Sequence, residues 1–121
     1  MTFTWSDFCD IAIFLRDHAG EDGIPEEAAM RCSVSRAYYA AFRHALNSAR
    51  ENGDYEEPDE SFKNHTCVRI YYQKRGKPHI STQLYRLHRW RKDADYEEPA
   101  YQINTTSVNS AITESQKILQ L

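Results

Sequence analysis

At 121 residues, 40% hydrophobic and 27% charged, the chain reads as one soluble globular domain spanning residues 1–121. No apolar run approaches the ~20 residues of a membrane span, which excludes a helical membrane protein, and the start, MTFTWSDFCD, lacks the basic and apolar regions of a signal peptide, so a cytoplasmic location is the default. The net charge of −3 is unevenly spread: Phe62–Lys92 holds nine Lys or Arg and no Asp or Glu, while the remaining ninety residues stand at −12.

Thr4 is placed to cap a first helix, with Asp7 to return the bond and Phe3 to staple onto Phe8. Phe8, Ile11, Ala12 and Leu15 continue one apolar stripe, and Gly20 stops it after His18. Asp22-Gly23-Ile24-Pro25 reads as a turn, with Pro25 at N1 of a second helix and Glu26 and Glu27 near its positive end. That helix runs to about Arg50. At 100° per residue its apolar positions, from Met30 and Val34 through Tyr38 and Phe42 to Tyr39 and Cys32, fill an arc of roughly 220°, where a surface helix needs a stripe of ~100°. It is therefore expected to touch two or more neighbours and sit centrally. Arg31 falls inside the arc, whereas Arg36, Arg43 and Asn47 share the narrow remaining face.

Glu51–Glu60 is an acidic, Pro- and Gly-containing loop. A third helix over Ser61–Lys74 has a poor apolar stripe, and Arg75-Gly76-Lys77-Pro78 breaks the chain again. In a fourth helix, His79 to about Asp93, the residues Ile80, Leu84, Leu87 and Ala94 lie within ~80°, with Arg91 in the middle of them. Arg86, Arg89 and Lys92 point elsewhere, and Asp95–Pro99 ends the element. A last helix over Thr106–Leu121 carries Val108, Ala111, Ile112, Ser115, Ile118 and Leu119 on one side. No segment alternates as a strand does. The expectation is an all-α fold, an up-and-down four-helix bundle with an additional C-terminal helix. Cys9, Cys32 and Cys67, an odd number set among core-like neighbours, read as buried thiols.

The basic segment is either a footprint for a phosphate-bearing ligand or a counterweight to the acidic segments. Arg31 and Arg91 both project from apolar faces, and a guanidinium there needs a carboxylate, a set of carbonyls or a phosphate. Tyr71, Tyr72, Tyr85 and Trp90, interleaved with Lys74, Arg75, Arg86 and Arg89, are placed either to stack bases or to pack. The histidines and cysteines show no zinc spacing, and Arg75-Gly-Lys-Pro is no P-loop, so no metal or cofactor is expected.

Ser35-Arg36-Ala37-Tyr38-Tyr39-Ala40-Ala41-Phe42, preceded by Arg31-Cys32-Ser33 and followed by Arg91-Lys92-Asp93-Ala94-Asp95-Tyr96, resembles the HEPN (higher eukaryotes and prokaryotes nucleotide-binding) superfamily. The likeness is to small stand-alone prokaryotic members with an S-R-A-Y-Y-A-x-F helix and a later R-x-x-A-D-Y, and it covers Arg31 to Tyr96. It implies a helical bundle, often a two-fold homodimer. Many such relatives are metal-independent endoribonucleases acting as toxins, antiviral effectors or RNA-processing enzymes. Others bind nucleotides, or pair with an antitoxin or a small nucleotidyltransferase, without cutting.

In the nuclease members an arginine is followed four to six residues later by a histidine. Arg91 matches that arginine, but Tyr96 stands five residues beyond it. Metal-free RNA cleavage needs a base, an acid and positive charge at the phosphorus. Arg91 can supply the charge; tyrosine, with a pKa near ~10, is a poor base at neutral pH. Tyr96 can instead donate a hydrogen bond, stack on a base, accept a nucleotidyl group, or simply pack. His88, one turn before Arg91, is a substitute for the missing imidazole. The resulting expectation is a cleft around Arg91 that binds RNA or a nucleotide, with Arg86, Arg89, Lys92, Lys74, Arg75, Lys77 and Arg36 as phosphate contacts. The alternative is RNA cleavage by Arg91 with Tyr96 or His88.

Overall fold

A computed structural model describes residues 2–97 and 103–121. The order is α1 (Ser6–His18), α2 (Glu26–Glu51), a single 3₁₀ turn over Ser61–Lys63, α3 (Asn64–Lys74), α4 (Pro78–Tyr96) and α5 (Thr105–Ile118). The fold is all-α, a bundle of five helices, and no strand occurs among the described residues.

The wide apolar arc of α2 is used within the chain. This helix packs against α1, α3, α4 and α5, while α3 also lies on α4, and α5 on α1 and α4. Ala37, Ala40, Ala41, Ala45 and Ala49 are all fully buried. Their methyl groups let the neighbouring backbones close in around one axis, where larger side chains would hold them apart. Two buried hydrogen bonds fix the packing: Ser33 Oγ donates to the Ala12 carbonyl (2.6 Å), and Tyr72 Oη donates to that of Ala45 (2.7 Å). With the arc satisfied internally, it gives no reason to expect a homodimer.

Several ends follow local chemistry. The Thr4 amide donates to Asp7 Oδ2 (3.2 Å) and the Phe3 and Phe8 rings meet edge-on at 5.7 Å, although α1 opens at Ser6 behind Trp5. Gly76, at φ +76, ends α3 in the left-handed region that lets the Lys77 amide bond back to the Tyr72 carbonyl (2.9 Å). Pro78 then occupies the first turn of α4, where its missing N–H costs nothing. Pro25 precedes α2 instead of lying inside it. The α4 helix runs three residues past Asp93, so Asp95 and Tyr96 belong to its last turn; Glu98 and Pro99 lie outside the described residues. Asn104 caps α5 by accepting from the Ser107 amide at 2.8 Å. An Asn104→Ala chain is expected to lose about 1 kcal/mol of stability, read as a lower urea midpoint at unchanged slope.

One expectation about buried groups needs correction. Cys9 is buried, but Cys67 is only half-buried and Cys32 is exposed; all three are free thiols. Cys32 is the outermost member of the apolar arc, beside the direction of Arg43, so no neighbouring helix covers it. Of the two roles open to the aromatics, Tyr71, Tyr72 and Trp90 take packing against the core, while Tyr85 remains exposed.

Candidate nucleic-acid interface

The two motifs face each other. Ser35 Oγ donates to Asp95 Oδ2 (3.2 Å), and Arg91 Nη2 donates to the Tyr39 hydroxyl (2.6 Å). Arg31 Nη1 donates to the carbonyls of Ala94 and Glu97, each at 3.0 Å, and so holds the end of α4 against α2. Arg31 thus finds a set of helix-terminal carbonyls, the partner its inward position requires. Arg91 is also turned inward, its side chain 16% exposed, with Nε 3.0 Å from Asp95 Oδ2.

Beside Arg91 opens a cleft of 630 Å³. Its floor and walls come from the polar face of α2 (Arg36, Tyr39, Arg43), the start of α1 (Trp5, Phe8), the start of α3 (Asn64, His65) and the end of α4 (Arg91, Asp95). The helical period explains the α2 contribution: positions 36, 39 and 43 are three and four apart and share one side. Ring faces hold the guanidinium groups. Tyr39 lies between Arg36 (5.4 Å) and Arg91 (5.1 Å), Arg36 also covers Phe8 (5.1 Å), and Arg43 covers Trp5 (4.8 Å). A ring face orients a guanidinium and leaves its charge and its edge N–H groups available. Neither Arg36 nor Arg43 has a carboxylate partner among the described residues; Arg50, at the rim, is paired with Glu57 at 2.5 Å. The Nε atoms of Arg43 and Arg91 are buried with no hydrogen-bond acceptor. For Arg91 the Asp95 oxygen is a charge contact off the direction of the N–H.

His65 lines the same cleft, its ring nearly parallel to Phe42 at 4.1 Å and to His88 at 5.0 Å. Burial, and then the charges of Arg91, Arg69 and Arg43, push its pKa down to about 4. His88 is likewise lowered to about 4 by burial, then by His65, Arg69, Lys92 and Arg91. Both rings are neutral at pH 7.

The other sequence candidates are dispersed. His88 backs His65 and opens onto a separate hollow of 400 Å³ with Tyr85, Arg89, Lys92 and Tyr96. Tyr96 is 70% exposed, with Arg91 over its ring at 5.4 Å. It is therefore not a core tyrosine. Arg86 is paired with Glu114 (3.0 Å) on α5, and Arg75 with Asp54. Lys74 lies near Arg75 around a third hollow, and Lys77 is exposed just before α4. Lys63, Arg75, Arg86 and Arg91 of the basic segment all pair with acidic residues outside it, so much of that segment is a counterweight. Most of the cleft's cations come from α2 instead. Arg43 was legible only as a member of a polar strip, and His65 had no local signal at all.

Among the described residues no cluster of His, Cys, Asp and Glu could hold a metal ion, and no helix is long and apolar enough to cross a membrane. Compared with protein-family models, curated proteins and solved structures, the chain matches none.

Proposed function

We propose that this chain is a HEPN-type domain that binds RNA or a nucleotide by its phosphates in the Arg36–Arg43–Arg91 cleft. The observation that carries this reading is that three guanidinium groups are held there by aromatic faces, with a single carboxylate, Asp95, set against them. Buried cations arranged for internal stability are paired with carboxylates; Arg36 and Arg43 have no such partner among the described residues and keep open N–H edges, as phosphate recognition requires, and Arg91, set against Asp95, lies beside them. Trp5 and the 65% exposed Phe62 at the rim add ring surface for unstacked bases.

The test is binding of a labelled single-stranded RNA in chelator, followed by fluorescence anisotropy over a range of salt. Wild-type affinity should fall steeply with salt, and the Arg36→Ala/Arg43→Ala pair should lower the slope of log K against log salt by about 1–2. An unchanged slope refutes the cleft as the phosphate site. Gel analysis of the same mixtures reads the alternative: RNA cut by the wild type and left intact by Arg91→Ala would make the cleft that of a ribonuclease.

A further inference from the structure

The hydroxyl of Tyr38, on a side chain only 1% exposed, bonds to Nδ1 of His65 and to no other group among the described residues. A buried hydroxyl proton needs an acceptor, and Nδ1 is the one within reach. Tyr38 therefore donates, Nδ1 stays bare, and the neutral imidazole carries its proton on Nε2. Among the described residues Nε2 bonds no protein atom and it is not buried, so it faces water on the side where His65 lines the cleft. Adding a proton at Nδ1 would strand the Tyr38 hydroxyl. It would also place positive charge beside Arg43 of α2, Arg69 of α3 and Arg91 of α4, with His88 stacked against the ring and Asp95 already engaged by Arg91 and Ser35. The phenol of Tyr38 is itself pushed well above its usual range by burial, so it remains a donor throughout.

Most side-chain acceptor atoms near His65 are engaged as well. Oδ2 of Asp95 meets Arg91 and Ser35, the Tyr39 hydroxyl accepts from Arg91, and the Asn64 carboxamide oxygen accepts from Tyr55 at 2.5 Å. What the cleft chiefly offers a ligand is a set of donors: the open N–H groups of Arg36 and Arg43 and the Nε2–H of His65.

We infer that Tyr38 locks His65 as a fixed Nε2–H donor, and that the cleft takes an acceptor-only group, the non-bridging oxygens of a phosphodiester in single-stranded RNA, which it holds without abstracting a proton. The inference rests on the proposed phosphate reading and narrows it. An imidazole whose Nε2 already carries a proton cannot take one from a ribose hydroxyl, so His65 recognises the phosphate and is no general base.

The test uses the intact chain and a short oligoribonucleotide with hydroxyl groups at both ends, so that no terminal phosphate titrates. Long-range ¹⁵N–¹H spectra of the wild type should show His65 as the Nε2–H tautomer, and as a mixture of both tautomers in Tyr38→Phe. Gln places an amide N–H near the Nε2 position and Asn near Nδ1. His65→Gln should therefore keep RNA affinity within about threefold, and His65→Asn should lose about tenfold. Wild-type affinity should stay within about twofold from pH 5.5 to 8. An Nδ1–H tautomer in the wild type, or affinity rising steeply as pH falls through 7 to 6, overturns the lock. Displacement of the RNA by an equal concentration of AMP moves the site to a terminal phosphate and overturns the diester assignment. Failure of both RNA and AMP to bind, with the Nε2–H tautomer present, overturns the phosphate reading and leaves the tautomer standing.

Discussion

Replacing Arg91 with alanine should weaken RNA binding by about 100-fold, close to 3 kcal/mol, the usual cost of truncating one partner of a buried, hydrogen-bonded charge contact. Two effects add. The fork that meets phosphate is lost, and Asp95, still held by Ser35, is left as an uncompensated negative charge at the mouth of the cleft. Lysine should recover little, because a point charge on a flexible stem cannot both lie on the Tyr39 ring and donate to its hydroxyl. Asp95→Asn supplies the internal check. In the Arg91→Ala background it should restore about tenfold by removing the repulsion, while an inert Asp95→Asn would show that the carboxylate does not face the ligand. Anisotropy at fixed salt gives the affinities, and thermal unfolding of the same samples reports whether α4 still closes on α2.

Acid should unfold the chain more readily than its carboxylates alone would predict. The folded pKa of His65 and of His88 is about 4, against 6.5 for a free histidine, so the unfolded chain binds more protons throughout the interval between them. Stability is therefore undiminished above pH 6.5 and is lost as pH falls from about 6.5 to 4. Both rings are partly open to water and each contributes to the other's field, so the loss for the pair is roughly 3 kcal/mol, about half of what the two shifts give when added. Guanidinium denaturation at pH 7, 5.5 and 4 measures it. His88→Phe keeps a flat ring in the stack against Tyr38 and His65 and removes one proton site. Its pH profile should be shallower by about half, and an unchanged profile would place the acid sensitivity elsewhere.

Most of the helices were legible because they obey one period and Gly or Pro breaks the chain between them, and the breadth of the α2 arc told correctly that this helix would be enclosed. The inward direction of Arg91 was legible for the same reason: four apolar residues of α4, all buried, fixed the face, and the arginine lay within it. What periodicity cannot carry is the pairing of faces. The sequence marks Arg36 as a phosphate contact and Arg43 only as part of a polar strip, and neither signal tells that Phe8 and Trp5 lie against them. His65 sits at the start of α3, the helix with the weakest pattern, and its role depends on Tyr38 and Phe42 from α2 and His88 from α4. The basic run of Phe62–Lys92 misled in the opposite direction, since a cluster in sequence winds onto several sides of two helices. Cys32 shows the limit of an idealised wheel, whose outermost positions are covered or bare according to where the next helix stops.

The alanine-lined interior of α2 has a consequence for how such a chain can change. With Ala37, Ala40, Ala41, Ala45 and Ala49 each enclosed on every side, the spacing between the bundle's axes is set at single-methyl resolution. Growth at any of them must be matched by shrinkage on the facing helix. Substitutions tolerated along this spine should therefore arise as compensating couples, a bulkier side chain on one partner with a smaller one opposite.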